Sequence, residues 1–183
     1  MKRHFLATLI LLSAILWIRA EQPTSKVVSA RLASEHTVSN GGTRMIEGDV
    51  QITFDDGRTE VITHDGKCLP PDVSKNGAVF WMHCTGLNDR GYTVDETYIL
   101  RNPQGKIIEL NGGEGFLRNS AFSADGTALV TMWGGHHGPS SFVKYDVNGG
   151  KIITRLSGVY DYNKLPSWAK PLAKGDASFE NSE

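Results

Sequence analysis

The chain of 183 residues is slightly acidic, with 19 Lys and Arg against 20 Asp and Glu. This balance gives no electrostatic support for binding nucleic acid or an anionic membrane, because both reward clusters of Lys and Arg. A length of this order suits one domain with its own core.

The first 20 residues are typical of a secretory signal peptide. Lys2 and Arg3 precede an apolar run over residues 5–18, and Ala20 supplies a small residue for cleavage. The run is shorter than the roughly 20 apolar residues that a transmembrane helix needs, so we expect no membrane span after cleavage. We therefore predict a secreted or periplasmic protein, and cleavage makes it more acidic because only bases are removed.

Cys68 and Cys84 are the only two cysteines of the chain. Because disulfides persist in the oxidising compartment that the signal implies, we predict that they are joined. Closing a loop of this size would stabilise the fold by roughly 3 kcal/mol. A metal site made from His64, Cys68, His83 and Cys84 is the alternative, but adjacent residues on a strand point to opposite faces and do not converge on one ion.

The first strands can be placed from alternation and turn residues. Residues 26–32 (KVVSARL) predict a strand, and residues 39–43 (SNGGT) predict a loop. Val50, Ile52 and Phe54 alternate with polar residues, as expected of a half-buried strand. The Asp-Gly turn that follows predicts a hairpin with residues 59–63.

The chain repeats itself around its glycine turns. Gly57, Gly105 and Gly150 are each followed by a base and lie 48 and 45 residues apart. Seven and five residues before these glycines stand, in chain order, Val50 and Ile52, Tyr98 and Leu100, Val143 and Tyr145. Gly77 and Gly126 give a second, independent alignment with a separation of 49 residues. Repeats of about 40 to 50 residues with four strands each are typical of propeller blades.

Residues 122–126 (FSADG), followed by an apolar strand, resemble the S-x-D-G turn of TolB-like and WD40-like β-propeller repeats. Residues 145–151 (YDVNGGK) resemble the outer hairpin of such blades. The resemblance spans roughly residues 48–156 and implies about three blade-like units, whereas propellers normally carry four to eight. We therefore predict an all-β domain over residues 21–156, an antiparallel meander of blade-like units in an incomplete or divergent propeller. A β-sandwich or barrel is the alternative.

Residues 157–183 change character and are predicted to be a C-terminal extension. Residues 161–170 (DYNKLPSWAK) predict a short helical turn, with Pro166 near its start and Trp168 laid against the sheet. Residues 175–183 (GDASFENSE) predict a disordered end.

The most distinctive polar loop is residues 134–141 (GGHHGPSS). An imidazole side chain can bind a transition metal or carry a proton near neutral pH, which makes His136 and His137 of interest, and the flanking glycines let a ligand approach the backbone. We name these two histidines, with Trp133 and Ser140, as candidate ligand-binding residues. The alternative interpretation is a solvated connecting loop, with Trp133 in the core between sheets.

The sequence contains no complete catalytic signature and no Gly-x-Ser-x-Gly elbow. We predict a non-enzymatic binding or protein-interaction module for a protein or small-molecule ligand, without a cofactor. The alternative function is a metal-binding protein or hydrolase centred on His136 and His137. Exposed edges of an incomplete sheet array would also allow the chain to form a homo-oligomer, because free edges invite pairing.

Overall fold

The fold of the chain is all-β, as its sequence pattern predicts. The computed structural model describes residues 25–134, 140–159, 161–174 and 179. Within these residues the strands form antiparallel sheets that do not close into a barrel. The same residues include no helix with the length and apolar character needed to cross a membrane. The predicted signal peptide lies outside the described residues.

The first sheet is a three-stranded meander. Its strands are β1 (Val27–Asn40), β2 (Thr43–Phe54) and β3 (Thr59–Val61), paired in that order. The predicted loop shrinks to a tight turn at Gly41 and Gly42, which have φ values of +56° and +80°. Because two residues with positive φ reverse a hairpin directly, β1 and β2 extend further than the sequence indicates.

The second sheet is a four-stranded meander with a small hairpin inserted into it. In chain order the strands are β4 (Asp72–Val73), β5 (Val79–His83), β6 (Gly86–Leu87), β7 (Thr93–Val94), β8 (Thr97–Arg101) and β9 (Ile107–Leu110). The order in the sheet is β4-β5-β8-β9, and β6 pairs with β7 outside it.

The third sheet repeats the four-stranded order. Its strands, paired in chain order, are β10 (Phe116–Phe122), β11 (Ala128–Gly134), β12 (Ser140–Asp146) and β13 (Ile152–Val159). Strand β11 is buried along its whole length. The second sheet covers one of its faces, and the C-terminal segment, by which we mean residues 161–174 with Phe179, covers the other.

Apolar clusters between consecutive layers hold the described part of the chain together. They lie between the first and second sheets, between the second and third sheets, and between the third sheet and the C-terminal segment. Representative members, in that order, are Ile52 and Trp81, Leu100 and Leu129, and Met132 and Leu172. The layers therefore stack in the order of the chain.

The five glycine turns of the sequence repeat are present. Their φ values lie between +68° and +88°, a conformation that residues with a Cβ rarely adopt. These glycines are Gly57, Gly77, Gly105, Gly126 and Gly150. In the turn before β11, Asp125 accepts hydrogen bonds from the hydroxyls of Ser123 and Thr127 and from the amide of Thr127, and these bonds lower the pKa of Asp125 to about 2.

The β12–β13 turn is one residue longer than its counterpart in the second sheet. In the second sheet the backbone N–H of Asn102 donates to the backbone carbonyl of Lys106. In the third sheet the backbone N–H of Asp146 donates to the backbone carbonyl of Lys151, one residue further along the chain. Aligning the repeats on these closing hydrogen bonds, instead of on the glycines, moves the third incoming strand by one position.

The corrected alignment makes Phe142 and Lys144 the counterparts of Tyr98 and Leu100. A shift of one residue moves a side chain to the opposite face of a strand. The counterparts expected from the sequence, each one residue later in β12, face the second sheet, while Phe142 and Lys144 face the C-terminal segment. Each sheet thus presents the same face to the layer that follows it.

The C-terminal segment packs on the outer face of the third sheet. It contains a 3₁₀ turn at Tyr162–Lys164 and a short helix α1 at Lys170–Ala173. Trp168 is partly buried against this face. Of the end predicted to be disordered, the described residue is Phe179, which is only 6 % exposed and has its ring 6.1 Å from that of Phe142.

The predicted disulfide is absent, and Cys68 and Cys84 are buried free thiols. Strand register is the reason. Cys68 pairs with His83, so Cys84, one residue later, points to the opposite face. The Sγ of Cys68 lies 3.6 Å from Oγ1 of Thr63, and the Sγ of Cys84 lies 3.5 Å from Oε1 of Glu47. A disulfide requires two Cβ atoms that face each other.

Both thiols should react slowly in the folded protein. Burial, together with the carboxylate of Glu47, raises the pKa of Cys84 to about 11, and burial also raises the pKa of Cys68. Because the thiolate is the reactive form, we expect iodoacetamide at pH 8 to label the native protein slowly. Protein unfolded without reductant should gain two labels by mass spectrometry. Unfolded protein that takes up label only after reduction would contradict the free thiols.

Candidate ligand-binding site

Trp133 lies at the end of β11, inside the cluster between the second and third sheets. Its side chain is 3 % exposed, and its ring meets that of Tyr98 edge-on, with 4.5 Å between the centroids. Its Nε1 donates to Oγ1 of Thr131 at 2.6 Å. The polar atom of the indole is satisfied inside the protein, and the ring belongs to the core cluster. Trp133 also contributes to the lining of a small cleft.

A glycine loop closes over the ring of Trp133. A Cβ placed on Gly113 would lie 1.7 Å from a ring atom, so only glycine fits there. Outside this loop is a shallow cleft of about 150 Å³, to which Glu96 contributes. Glu96 accepts hydrogen bonds from the hydroxyls of Thr93 and Tyr98, so its two oxygens are already engaged by the protein.

Ser140 begins β12 and is 1 % exposed. Its Oγ has no hydrogen-bond partner among the described residues. His136 and His137 fall outside those residues. The structure thus places two of the four predicted site residues, Trp133 and Ser140, at the ends of the connection that carries the histidines, and it buries both.

A larger cleft, which we call the edge cleft, lies between the edges of the second and third sheets. One wall is residues 117–120 of β10, and the other consists of residues from 69–72 and from β5. Its volume is about 450 Å³, within the usual range of ligand pockets of roughly 300–1,000 Å³. The walls are mixed, since Leu69, Met82 and Leu117 are apolar and the remaining β10 residues are polar.

Arg118 supplies the positive charge of the edge cleft. The pairing of β10 with β11 shifts register between Leu117 and Asn119, so Arg118 is the extra residue of a β-bulge. Bulges redirect side chains and are over-represented beside functional sites. The Arg118 side chain lies against Gly134, where an added Cβ would come within 3.3 Å of the Arg118 Cδ. Gly134 is the last described residue before the histidine pair, so the charge lies next to the connection that the sequence singles out.

Asp72 supplies a carboxylate to the same cleft. The hydroxyl of Ser120 donates to Oδ2 of Asp72 at 3.4 Å, which links the edges of the two sheets. Burial raises the pKa of Asp72, and this hydrogen bond acts in the opposite direction. The carboxylate of the cleft is therefore already engaged by the protein.

Sequence reasoning misses Arg118 and Asp72. Neither stands in a recognisable motif, and the bulge that re-aims Arg118 is visible only in the pairing of β10 with β11. The metal site considered from the cysteines and their neighbouring histidines is not formed either. The described residues contain no group of three or more His, Cys, Asp or Glu placed to hold a metal ion.

No known family model and no curated protein matches the chain. Among solved structures, the chain is similar to an acylaminoacyl peptidase from Pyrococcus horikoshii, with 11 % sequence identity and a TM-score of 0.43. The match covers 72 % of this chain and 25 % of the peptidase chain. The chain thus spans about a quarter of the length of that protein.

Proposed function

We propose that the chain is a secreted or periplasmic, non-enzymatic binding module whose ligand presents a carboxylate to Arg118 in the edge cleft. The observation that carries this proposal is the bulge at Arg118, which supplies a cation to a cleft of about 450 Å³. A guanidinium matches the planar, two-oxygen geometry of a carboxylate better than an ammonium does. The N-terminal pattern of Lys2, Arg3 and the apolar run supports export.

The apolar walls of the edge cleft define the rest of the ligand. Leu69, Met82 and Leu117 lie around the same space as Arg118, and ligand pockets commonly combine apolar walls with a few polar groups that fix orientation. A ligand with a short aliphatic group next to its carboxylate satisfies both parts of the cleft.

N-acetyl-leucine and N-acetyl-leucinamide make a matched pair of probes for this site, because only the first carries a carboxylate. We expect N-acetyl-leucine to shift the backbone amide signals of residues 117–120 in two-dimensional NMR spectra, with the amide probe binding several-fold more weakly. Arg118→Gln should remove the preference for the acid. The matched control is Lys75→Gln, in the exposed β4–β5 turn, which should keep it.

An unchanged preference in Arg118→Gln, or shifts confined to residues away from the edge cleft, would rule out this site. The fold of Arg118→Gln is checked in the same spectra, since the signals of Leu129 and Val130, in the part of the buried strand β11 that does not pair next to residue 118, should not move.

We also propose that the three sheets are blade-like units of an incomplete propeller. Two observations support it. Each sheet is an antiparallel meander, apart from the small hairpin inserted into the second, and each sheet packs the same face on the layer that follows it. Ile107 on β9 and Ile152 and Ile153 on β13 are exposed on the outer edges of the second and third sheets. A second copy of the chain would pair along these edges.

A metal-binding protein or hydrolase centred on His136 and His137 is the alternative function. The buried hydroxyl of Ser140, which has no hydrogen-bond partner among the described residues, favours it. Stoichiometric zinc, copper or nickel in protein purified without an affinity tag would favour this alternative over the binding module. A hydrolytic activity lost in His137→Ala would do the same.

A further inference from the structure

A lysine occupies a position of the third sheet that is apolar and buried in the other two. In each sheet, the position in question lies two residues before the residue whose backbone N–H closes the next turn with a hydrogen bond. It is occupied by Ile52, Leu100 and Lys144 in the first, second and third sheets. Ile52 and Leu100 are 0 % exposed and face the next sheet. Lys144 is half-buried and lies on the face that meets the C-terminal segment.

The C-terminal segment leaves a cleft beside Lys144, which we call the outer cleft. Its volume is about 390 Å³. Most of its lining is apolar and comes from Ala121 and Val130 on the third sheet and from Trp168, Pro171 and Leu172 on the C-terminal segment. The edge cleft is lined by other residues, so the two clefts are separate sites.

Lys144 is the cation of this cleft, and the described residues give it no ion-pair partner. A half-buried charge loses hydration and gains from a counter-charge. A half-buried position of a sheet accepts a lysine when its ammonium group can reach water, which accounts for a lysine at this position. It does not account for an apolar cleft next to that lysine.

We propose that the outer cleft binds a medium-chain aliphatic carboxylate, with its head group paired to Lys144 and its tail against Trp168 and Leu172. The apolar lining suits the hydrocarbon, since moving apolar surface out of water is favourable. The single cation selects an anionic head group over a neutral one. This site does not depend on the ligand assigned to the edge cleft.

Decanoate and 1-decanol are the matched probes, because they share a chain length and differ in charge. Titration of the full chain is followed by calorimetry and by intrinsic tryptophan fluorescence, to which Trp168 contributes. We expect one decanoate to bind per chain, with about tenfold higher affinity than 1-decanol, which corresponds to about 1.4 kcal/mol.

Three variants separate the charge from the cavity. Lys144→Met replaces the lysine with an apolar side chain, as at Leu100, and should fold normally while losing the preference for decanoate. Ala121→Leu places a larger side chain in the outer cleft and should weaken both probes. Lys151→Met removes an exposed charge in the β12–β13 turn and should leave both affinities unchanged.

Absence of decanoate binding to the folded wild-type chain would overturn the proposal, because Lys144 would then be only a solvated surface charge. Binding that keeps its preference for the acid in Lys144→Met, or that survives unchanged in Ala121→Leu, would also overturn it. Circular dichroism of each variant establishes that a lost affinity is not a lost fold.

Discussion

Replacing Gly113 by alanine is expected to lower the free energy of unfolding by about 3 kcal/mol, the upper end of the usual cost of overpacking. The added Cβ would lie 1.7 Å from one atom of the Trp133 ring and 2.1 and 2.2 Å from two others. Trp133 cannot retreat, because its ring packs against Tyr98 and its Nε1 is bonded to Thr131. Either the glycine loop must lift from the third sheet or the core between the sheets must rearrange. Urea denaturation followed by circular dichroism measures the loss.

Gly149→Ala is the matched control for this substitution. Like Gly113, Gly149 does not have a positive φ, and its added Cβ would meet the carboxylate of Asp146 at 3.2 Å, a side chain that can move. We expect a change of less than about 1 kcal/mol. Equal stabilities of the two variants would show that the loop does not press on Trp133.

Phe142→Ala should cost about 3 to 5 kcal/mol, the usual range for a large side chain deleted from a core. Phe142 is 0 % exposed and packs with Leu172 and Phe179 between the third sheet and the C-terminal segment. The substitution therefore leaves a cavity between the third sheet and the C-terminal segment, which the sequence predicts to be an extension. The midpoint of thermal or urea unfolding gives the effect.

Two further variants decide what the loss in Phe142→Ala means. Phe179→Ala should also destabilise the protein, because Phe179 is only 6 % exposed. Ile153→Ala should stay within about 0.5 kcal/mol of the wild type, because this side chain is 55 % exposed on an edge strand. A neutral Phe179→Ala beside a costly Phe142→Ala would mean that the end of the chain does not contribute to the fold.

The fold class follows from features that are local in sequence. Val50, Ile52 and Phe54 reveal a half-buried strand by alternation, and all three are buried. The glycine turns are recognisable because a positive φ is cheap only for a few residue types. These local signals also give the repeat, and hence the four-stranded order of the second and third sheets.

Register is what the local pattern does not carry. The turn between β12 and β13 has one residue more than its counterpart, so alignment on Gly150 assigns the wrong face to the strand before it. Alignment on Gly150 makes Tyr145, a core residue, the counterpart of Leu100, whereas the closing hydrogen bonds make Lys144 the counterpart. The face on which each residue of β12 lies is therefore determined by the hydrogen bonds that close the turn, and not by the spacing of residue types.

The cysteines illustrate the same limit. Alternation along a strand separates His83 from Cys84, and that argument already counts against a shared metal ion. Because Cys68 pairs with His83, Cys68 and Cys84 also lie on opposite faces, and this pairing is visible only in the structure. A prediction based on compartment and loop length lacks this information, and the two thiols face different surroundings.

The candidate site was predictable only in part. Residues 134–141 stand out in the sequence because the corresponding part of the second sheet has no histidine pair. Arg118, by contrast, lines the edge cleft because a β-bulge redirects it, and its side chain lies against Gly134, which has no side chain of its own. Both depend on two strands meeting in one particular register, which no single stretch of sequence encodes.

The central claim is that a carboxylate ligand occupies the edge cleft beside Arg118. Intermolecular nuclear Overhauser effects between the methyl groups of bound N-acetyl-leucine and those of the protein test it most directly. The predicted result is contacts with the methyl groups of Leu117 and Met82, which line that cleft. Contacts only with Leu172 or other residues of the outer cleft, or no intermolecular contact at saturating probe, would contradict the claim.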